Sequence, residues 1–168
     1  MISLKGIKIA FIDIDGVLSI PRYKDCIGNV RCAIGQNEGA WFNKSNWNSD
    51  CYKDCAVNPA VVALLDKLKR KGVMLYALTH ETNSGSYFNK IDFVLNNYSD
   101  YFNSYRQILF VSKIEDKIRL MDIYCSKKGF GHKECLLVED TYDTCIDAND
   151  KDYRVCHVSE LFLMDGER

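Results

Sequence analysis

Apolar and polar positions along this chain fall into blocks that switch between the period of a buried strand and that of an amphipathic helix. An apolar run starting near Ile7 ends at Asp13 and predicts a first strand. Asn58 followed by Pro59 predicts a capped helix start; Val61, Val62, Leu64, Leu65 and Leu68 recur at helical spacing, and Gly72 closes the segment. A strand from Val73 to Thr79 follows. Tyr87, Ile91, Val94, Leu95 and Tyr98 mark a second helix, Ile108 to Val111 a third strand, and Ile114 to Cys125 a third helix. Leu136-Leu137-Val138, a short helix reaching Ala148 and a strand around Val155 complete the series. Repeated strand-helix units require right-handed crossovers, so the pattern predicts an α/β fold, a doubly wound parallel sheet, in one domain over residues 1–168.

Residues 19–57 break the alternation. They are polar and aromatic, with Trp41, Phe42, Trp47 and Tyr52 among Asn, Asp, Lys and Gly, and read as a segment inserted into the domain. The aromatics either supply the core such an insertion needs or stack on a base or sugar.

The candidate chemistry lies where apolar runs stop. Asp13 and Asp15 stand one residue apart ahead of Gly16, and the carboxyl end of a parallel strand is where open α/β sheets keep their reactive groups. The second run ends in Thr79-His80, the Leu136 run in Glu139-Asp140. Ser112-Lys113-Ile114-Glu115 reads as a capping box opening a helix, with Lys113 at its first position and Lys117 one turn later on the same face. A calcium loop is a poor reading of Asp13-Ile14-Asp15-Gly16, because Val17, Leu18 and Ile20 supply no further oxygen ligands.

This order of acid pair, hydroxyl, lysine and acid pair resembles the haloacid dehalogenase (HAD) superfamily, a group of Rossmann-like hydrolases that are mostly phosphatases. Asp13-Ile14-Asp15-Gly16 looks like its first motif, Thr79 the second, Lys117 the third and Glu139-Asp140-Thr141 the fourth. Lys117, followed by Ile118-Arg119-Leu120-Met121, fits the lysine-then-helix pattern better than Lys113. Thr144 stands where another Asp or Asn is common, a place that Asp143 or a further water would fill. In this superfamily an insertion between the first and second motifs forms a cap over the site, so the resemblance implies that residues 19–57, a short insertion, form a small cap or ordered loop.

Carboxylates gathered around a phosphate repel one another by about 4 kcal/mol for each close pair at intermediate dielectric, so a divalent cation is required. Oxygen-only ligands and a shared substrate phosphate favour Mg²⁺. Asp13 and Asp140 are expected as side-chain ligands, and Glu139 as acting through a water or an indirect contact. The resemblance adds the main-chain carbonyl of Asp15. Asp13 is expected to attack phosphorus and form an aspartyl-phosphate. Asp15 is expected to protonate the leaving group, a donor that carbon–halogen cleavage does not need. Thr79 is expected to hold a phosphoryl oxygen and Lys117 to neutralise charge. Gly16 and His80 complete the expected substrate-binding set.

The expected substrate is a small phosphomonoester such as a nucleotide or sugar phosphate. A nucleic-acid end is the alternative, and a non-catalytic binding or regulatory protein a second. A net charge of −1 provides no field for nucleic acid or anionic membrane. No transmembrane run or signal-peptide pattern stands out, which predicts a cytoplasmic protein with reduced cysteines. Cys125, Cys135, Cys145 and Cys156 fall in predicted elements as small hydrophobes, whereas Cys26, Cys32, Cys51 and Cys55 fall in the insertion, where zinc is a minor alternative.

Overall fold

The central strand, β1 (Ile9–Ile12), is wholly buried, and its side chains alternate between two cores. Ile9 and Phe11 join one; Ala10, Ile12 and then Ile14 join the other. The computed structural model describes residues 3–24, 27, 30–32, 51–81 and 84–163. Strand β1 pairs in parallel with β6 (Met74–His80) on one side and with β8 (Cys135–Glu139) on the other. Strands β7 (Ile108–Val111) and β9 (Arg154–His157) lie outside these, giving a five-stranded parallel sheet ordered β7-β6-β1-β8-β9. From β1 the chain runs outward to β6 and β7, crosses back past β1, and continues through β8 to β9. The strand order therefore reverses beside β1, and the carboxyl ends of the strands at such a reversal are where a doubly wound sheet keeps its ligand crevice.

Helix α1 (Pro59–Arg70) begins as its sequence predicts: Asn58 Oδ1 accepts the Ala60 N–H at 3.1 Å, and Val61, Leu64, Leu65 and Leu68 are buried. Gly72 follows with φ 70°, a left-handed turn that glycine adopts without strain. Along helix α2 (Ser84–Asn97), Val94 is buried and Ile91 and Leu95 pack against the same core, as the spacing predicts. Ser86, Lys90 and Phe93 are buried as well, whereas Tyr87 is 36% exposed at the edge, its ring 4.1 Å from that of Phe110.

Helix α3 spans Asp116–Lys128, so the predicted start at Ile114 is corrected. No capping box forms: Glu115 makes no side-chain cap bond, and residues 112–115 turn instead, with the Asp116 and Lys117 N–H groups donating to the Lys113 and Ile114 carbonyls at 3.1 and 3.0 Å. The extra turn separates the two lysines, leaving Lys113 exposed and Lys117 buried. Helices α4 (Tyr142–Asp150) and α5 (Glu160–Leu163) complete the domain.

In the insertion, β2 (Ser19–Ile20) pairs antiparallel with β5 (Ala56–Val57), and β3 (Arg22–Lys24) with β4 (Val30–Cys32). Trp41, Phe42, Trp47 and Cys26 lie outside the described residues, as do the side chains of Cys32 and Cys51, so the zinc alternative falls there. Cys125, Cys135, Cys145 and Cys156 are buried free thiols in regular elements, and burial pushes those of Cys145 and Cys156 up to about 12. Among the described residues no helix is long and apolar enough to cross a membrane.

Candidate active site

Strand alternation decides which acid meets which helix. Asp13 continues the face of Ile9 and Phe11, Glu139 that of Cys135 and Leu137, and both turn toward α3, where Ile118 and Met121 pack. Lys117 enters there: its Nζ lies 3.0 Å from Asp13 Oδ1 and 2.8 Å from Glu139 Oε2. The lysine is 3% exposed and Glu139 0%, so water screens neither.

Glu139 is saturated by donors. Besides Lys117, its Oε1 accepts the Asp140 and Thr141 N–H groups at 3.3 and 3.2 Å. Burial raises its pKa, but Lys117 and these hydrogen bonds outweigh burial and hold it below the ordinary value. Burial likewise opposes the charge on Lys117, yet Asp13 and Glu139 together raise its pKa. Asp13 is pushed well above the ordinary value, first by burial and then by the Glu139 charge, against the pull of Lys117.

Carboxylate oxygens of Asp13, Glu139 and Asp140 lie within 4.8 Å of one another. This all-oxygen set suits a hard divalent cation, and a cation there offsets the repulsion that raises Asp13. Because Glu139 is committed to Lys117 and two amides, Asp13 and Asp140 are the better placed to ligate. Asp143 lies exposed on α4, outside that cluster. The Thr144 hydroxyl one turn beyond Asp140 is buried with no hydrogen-bond partner among the described residues. His157 supports the same loop through Nε2, 2.8 Å from the Asp140 carbonyl.

On the other face of the sheet stands a second cationic centre that the sequence did not reveal. Gly16, at φ 73°, turns the chain back after Asp15, its N–H donating to the Ser19 carbonyl at 2.9 Å. Asp15 Oδ2 then lies 2.7 Å from Lys90 Nζ, and its Oδ1 accepts the Tyr52 hydroxyl at 2.6 Å. Lys90 also donates to Thr79 Oγ1 at 3.0 Å and to the His80 carbonyl at 2.7 Å, with Glu81 Oε2 at 3.3 Å. Ser86 donates to that same Glu81 oxygen. Burial works against the charge on Lys90, but Asp15 and Glu81 raise its pKa overall. The His80 ring turns to the loop after β7, with Nε2 3.2 Å from the Ser112 carbonyl. A signal was available: Lys90 interrupts the buried stripe between Ser86 and Phe93-Val94, where a charge is costly unless paired.

No family model matches the chain, and no curated protein does. Solved structures resemble it. One is a HAD family enzyme of Bacteroides thetaiotaomicron in a magnesium complex: it is 19% identical, the match covers 90% of this chain and 93% of that one, and the TM-score is 0.55. The same enzyme with magnesium and inorganic phosphate gives 18% identity, 89% and 93% coverage and a TM-score of 0.53. An uncharacterized protein from Listeria monocytogenes serotype 4b gives 16%, 89% and 76%, and 0.54.

Proposed function

The chain carries the haloacid dehalogenase fold, and we propose that it uses this fold as a magnesium-dependent phosphatase, hydrolysing a small phosphomonoester through an aspartyl-phosphate on Asp13. The observation that carries the reading is the Lys117 ammonium held between Asp13 and Glu139, with Asp140 beside them at the strand tips. The Bacteroides enzyme of the same fold was solved with magnesium and inorganic phosphate, which supports both the ion and the substrate class.

Asp13 and Asp140, with the main-chain carbonyl of Asp15, would hold Mg²⁺, which when bound offsets carboxylate and phosphate charge and orients the phosphoryl group. The chain's own residues do the rest. Asp13 attacks phosphorus as the bond to the ester oxygen breaks, and Asp15 gives that oxygen its proton. Water then attacks the phosphorus of the aspartyl-phosphate; Asp15 takes a proton back, and the bond to Asp13 breaks to release phosphate. Lys117 stabilises charge on Asp13 and the transferring group, and the Thr79 hydroxyl holds a phosphoryl oxygen. His80 lines the rim through its backbone, and Gly16 serves the turn that returns Asp15 to the centre.

The test is a panel of nucleotides, sugar phosphates and an aryl phosphate assayed with Mg²⁺. Wild-type protein is expected to release phosphate from members of the panel, and Asp13→Asn to release none. Turnover surviving in Asp13→Asn rejects the mechanism.

A further inference from the structure

Lys90 is 2% exposed, belongs to none of the four sequence motifs, and faces four acceptors with three donors. Burial alone asks only that each of the three N–H donors find an acceptor; it does not dictate which groups those acceptors are. Here the lysine joins the proposed acid to the proposed phosphate-holding hydroxyl. We infer that Lys90 is a positioning residue, whose ammonium aims Asp15 at the leaving oxygen and leaves the Thr79 hydrogen for the substrate. The inference rests on the phosphatase reading and adds to it a residue that acts through two others.

The geometry is specific on both arms. Thr79 Oγ1 accepts from Lys90 at 3.0 Å, which occupies a lone pair and directs the hydroxyl hydrogen elsewhere. Its contact with the His80 carbonyl is long, 3.4 Å, so a phosphoryl oxygen in the crevice is the better acceptor. Asp15 is gripped at both oxygens, by Lys90 at 2.7 Å and by the Tyr52 hydroxyl at 2.6 Å, leaving little freedom to rotate. When the ester P–O bond breaks, its electron pair passes to the leaving oxygen, the Asp15 proton follows, and the resulting carboxylate already has two donors in place. Glu81, which accepts from Ser86, is a further acidic group on the ammonium, its Oε2 3.3 Å from Nζ.

A positioning role makes a prediction that a structural role does not. A poor leaving group needs the Asp15 proton; a good one does not. With Mg²⁺ present, Lys90→Met is expected to lose about 100-fold or more in kcat/KM on an alkyl phosphate and under about 10-fold on a dinitrophenyl phosphate, steepening the dependence on leaving-group pKa. Affinity for inorganic phosphate, followed by calorimetry, is expected to fall as Thr79 loses its partner. Should Lys90→Met fail to fold, the double variant Lys90→Met/Glu81→Gln removes one charge of each sign and is expected to show the same slope. Equal losses across the series, wild-type rates in the variants, or unchanged phosphate affinity overturn the inference while leaving the phosphatase reading standing. A wild type that hydrolyses no member of the series brings down both.

Discussion

The Lys117 ammonium lies 2.8 Å from Glu139 Oε2, with neither group open to water. A pair this deeply buried contributes little net stability, but removal of one partner is severe, because the other charge is stranded. Lys117→Met leaves Asp13 and Glu139 facing each other without a cation. The expected cost is about 3–5 kcal/mol in denaturant unfolding, with activity reduced by about 10²-fold or more. Added Mg²⁺ is expected to return part of the lost stability, since an ion beside Asp13 replaces the missing positive charge. Unfolding curves with and without the ion check this.

Metal binding to the folded chain alone must raise its stability with the logarithm of the free ion concentration once that exceeds the dissociation constant. At about one hundred times its dissociation constant, Mg²⁺ is expected to add about 2.7 kcal/mol, and a chelator to remove it. Asp140→Asn removes a carboxylate from the set formed with Asp13 and Glu139, without touching the Lys117 pair. The variant is therefore expected to keep its metal-free melting temperature and lose most of the Mg²⁺ response. Thermal melts at graded Mg²⁺ check both halves.

Much of this architecture was legible because strand tips announce themselves. An acid after Ile12, a hydroxyl after Leu78 and an acid pair after Val138 each end an apolar run, and the parallel sheet brings those ends to one edge. What was hidden came from elements read as ordinary. Lys90 sits on a helix, where a lysine normally points to solvent, and its spacing from Ser86 and Phe93-Val94 is a weak signal beside its contacts with Asp15 and Thr79, which are distant in sequence. Tyr52 lies in an insertion without periodicity, so nothing local tied it to Asp15. Ser112 and Glu115 have the spacing of a capping box, but the Ser112 carbonyl faces the His80 ring and the chain turns once more before helix α3 begins. Local propensity yielded there to the path from β7 to α3.

Asp122 provides a pH test away from the active site. Partial burial pushes its carboxyl up, but the Tyr153 hydroxyl at 2.6 Å and the Lys151 ammonium at 3.2 Å outweigh that, with His132 Nε2 also 3.3 Å away, and its pKa falls below the ordinary 3.8. A carboxyl with a depressed folded-state pKa stabilises the fold above its unfolded value, and that contribution disappears as pH falls through the folded value. Wild type is therefore expected to be more stable than Asp122→Asn near neutrality, with the gap narrowing below about pH 4. Urea midpoints measured across that range check the sign.

Tyr98 closes the base of the insertion. Its hydroxyl donates to the Leu18 carbonyl at 2.6 Å and accepts the Asn58 N–H at 3.1 Å, so one buried side chain ties the residue before the insertion to the residue after it. The Ser19 to Val57 pairing lies alongside. Tyr98→Phe keeps the ring contact with Phe93 but strands a buried carbonyl and a buried N–H, a loss of about 1–3 kcal/mol. Because Leu18 lies five residues from Asp13, the loosening is expected to reach Asp15 through the turn, lowering kcat more than it raises KM. Hydrogen exchange at the Asn58 amide is expected to accelerate more than exchange at amides in the middle of β1. Equal acceleration at both places would mean that the hydroxyl supports the domain as a whole and not the junction with the insertion.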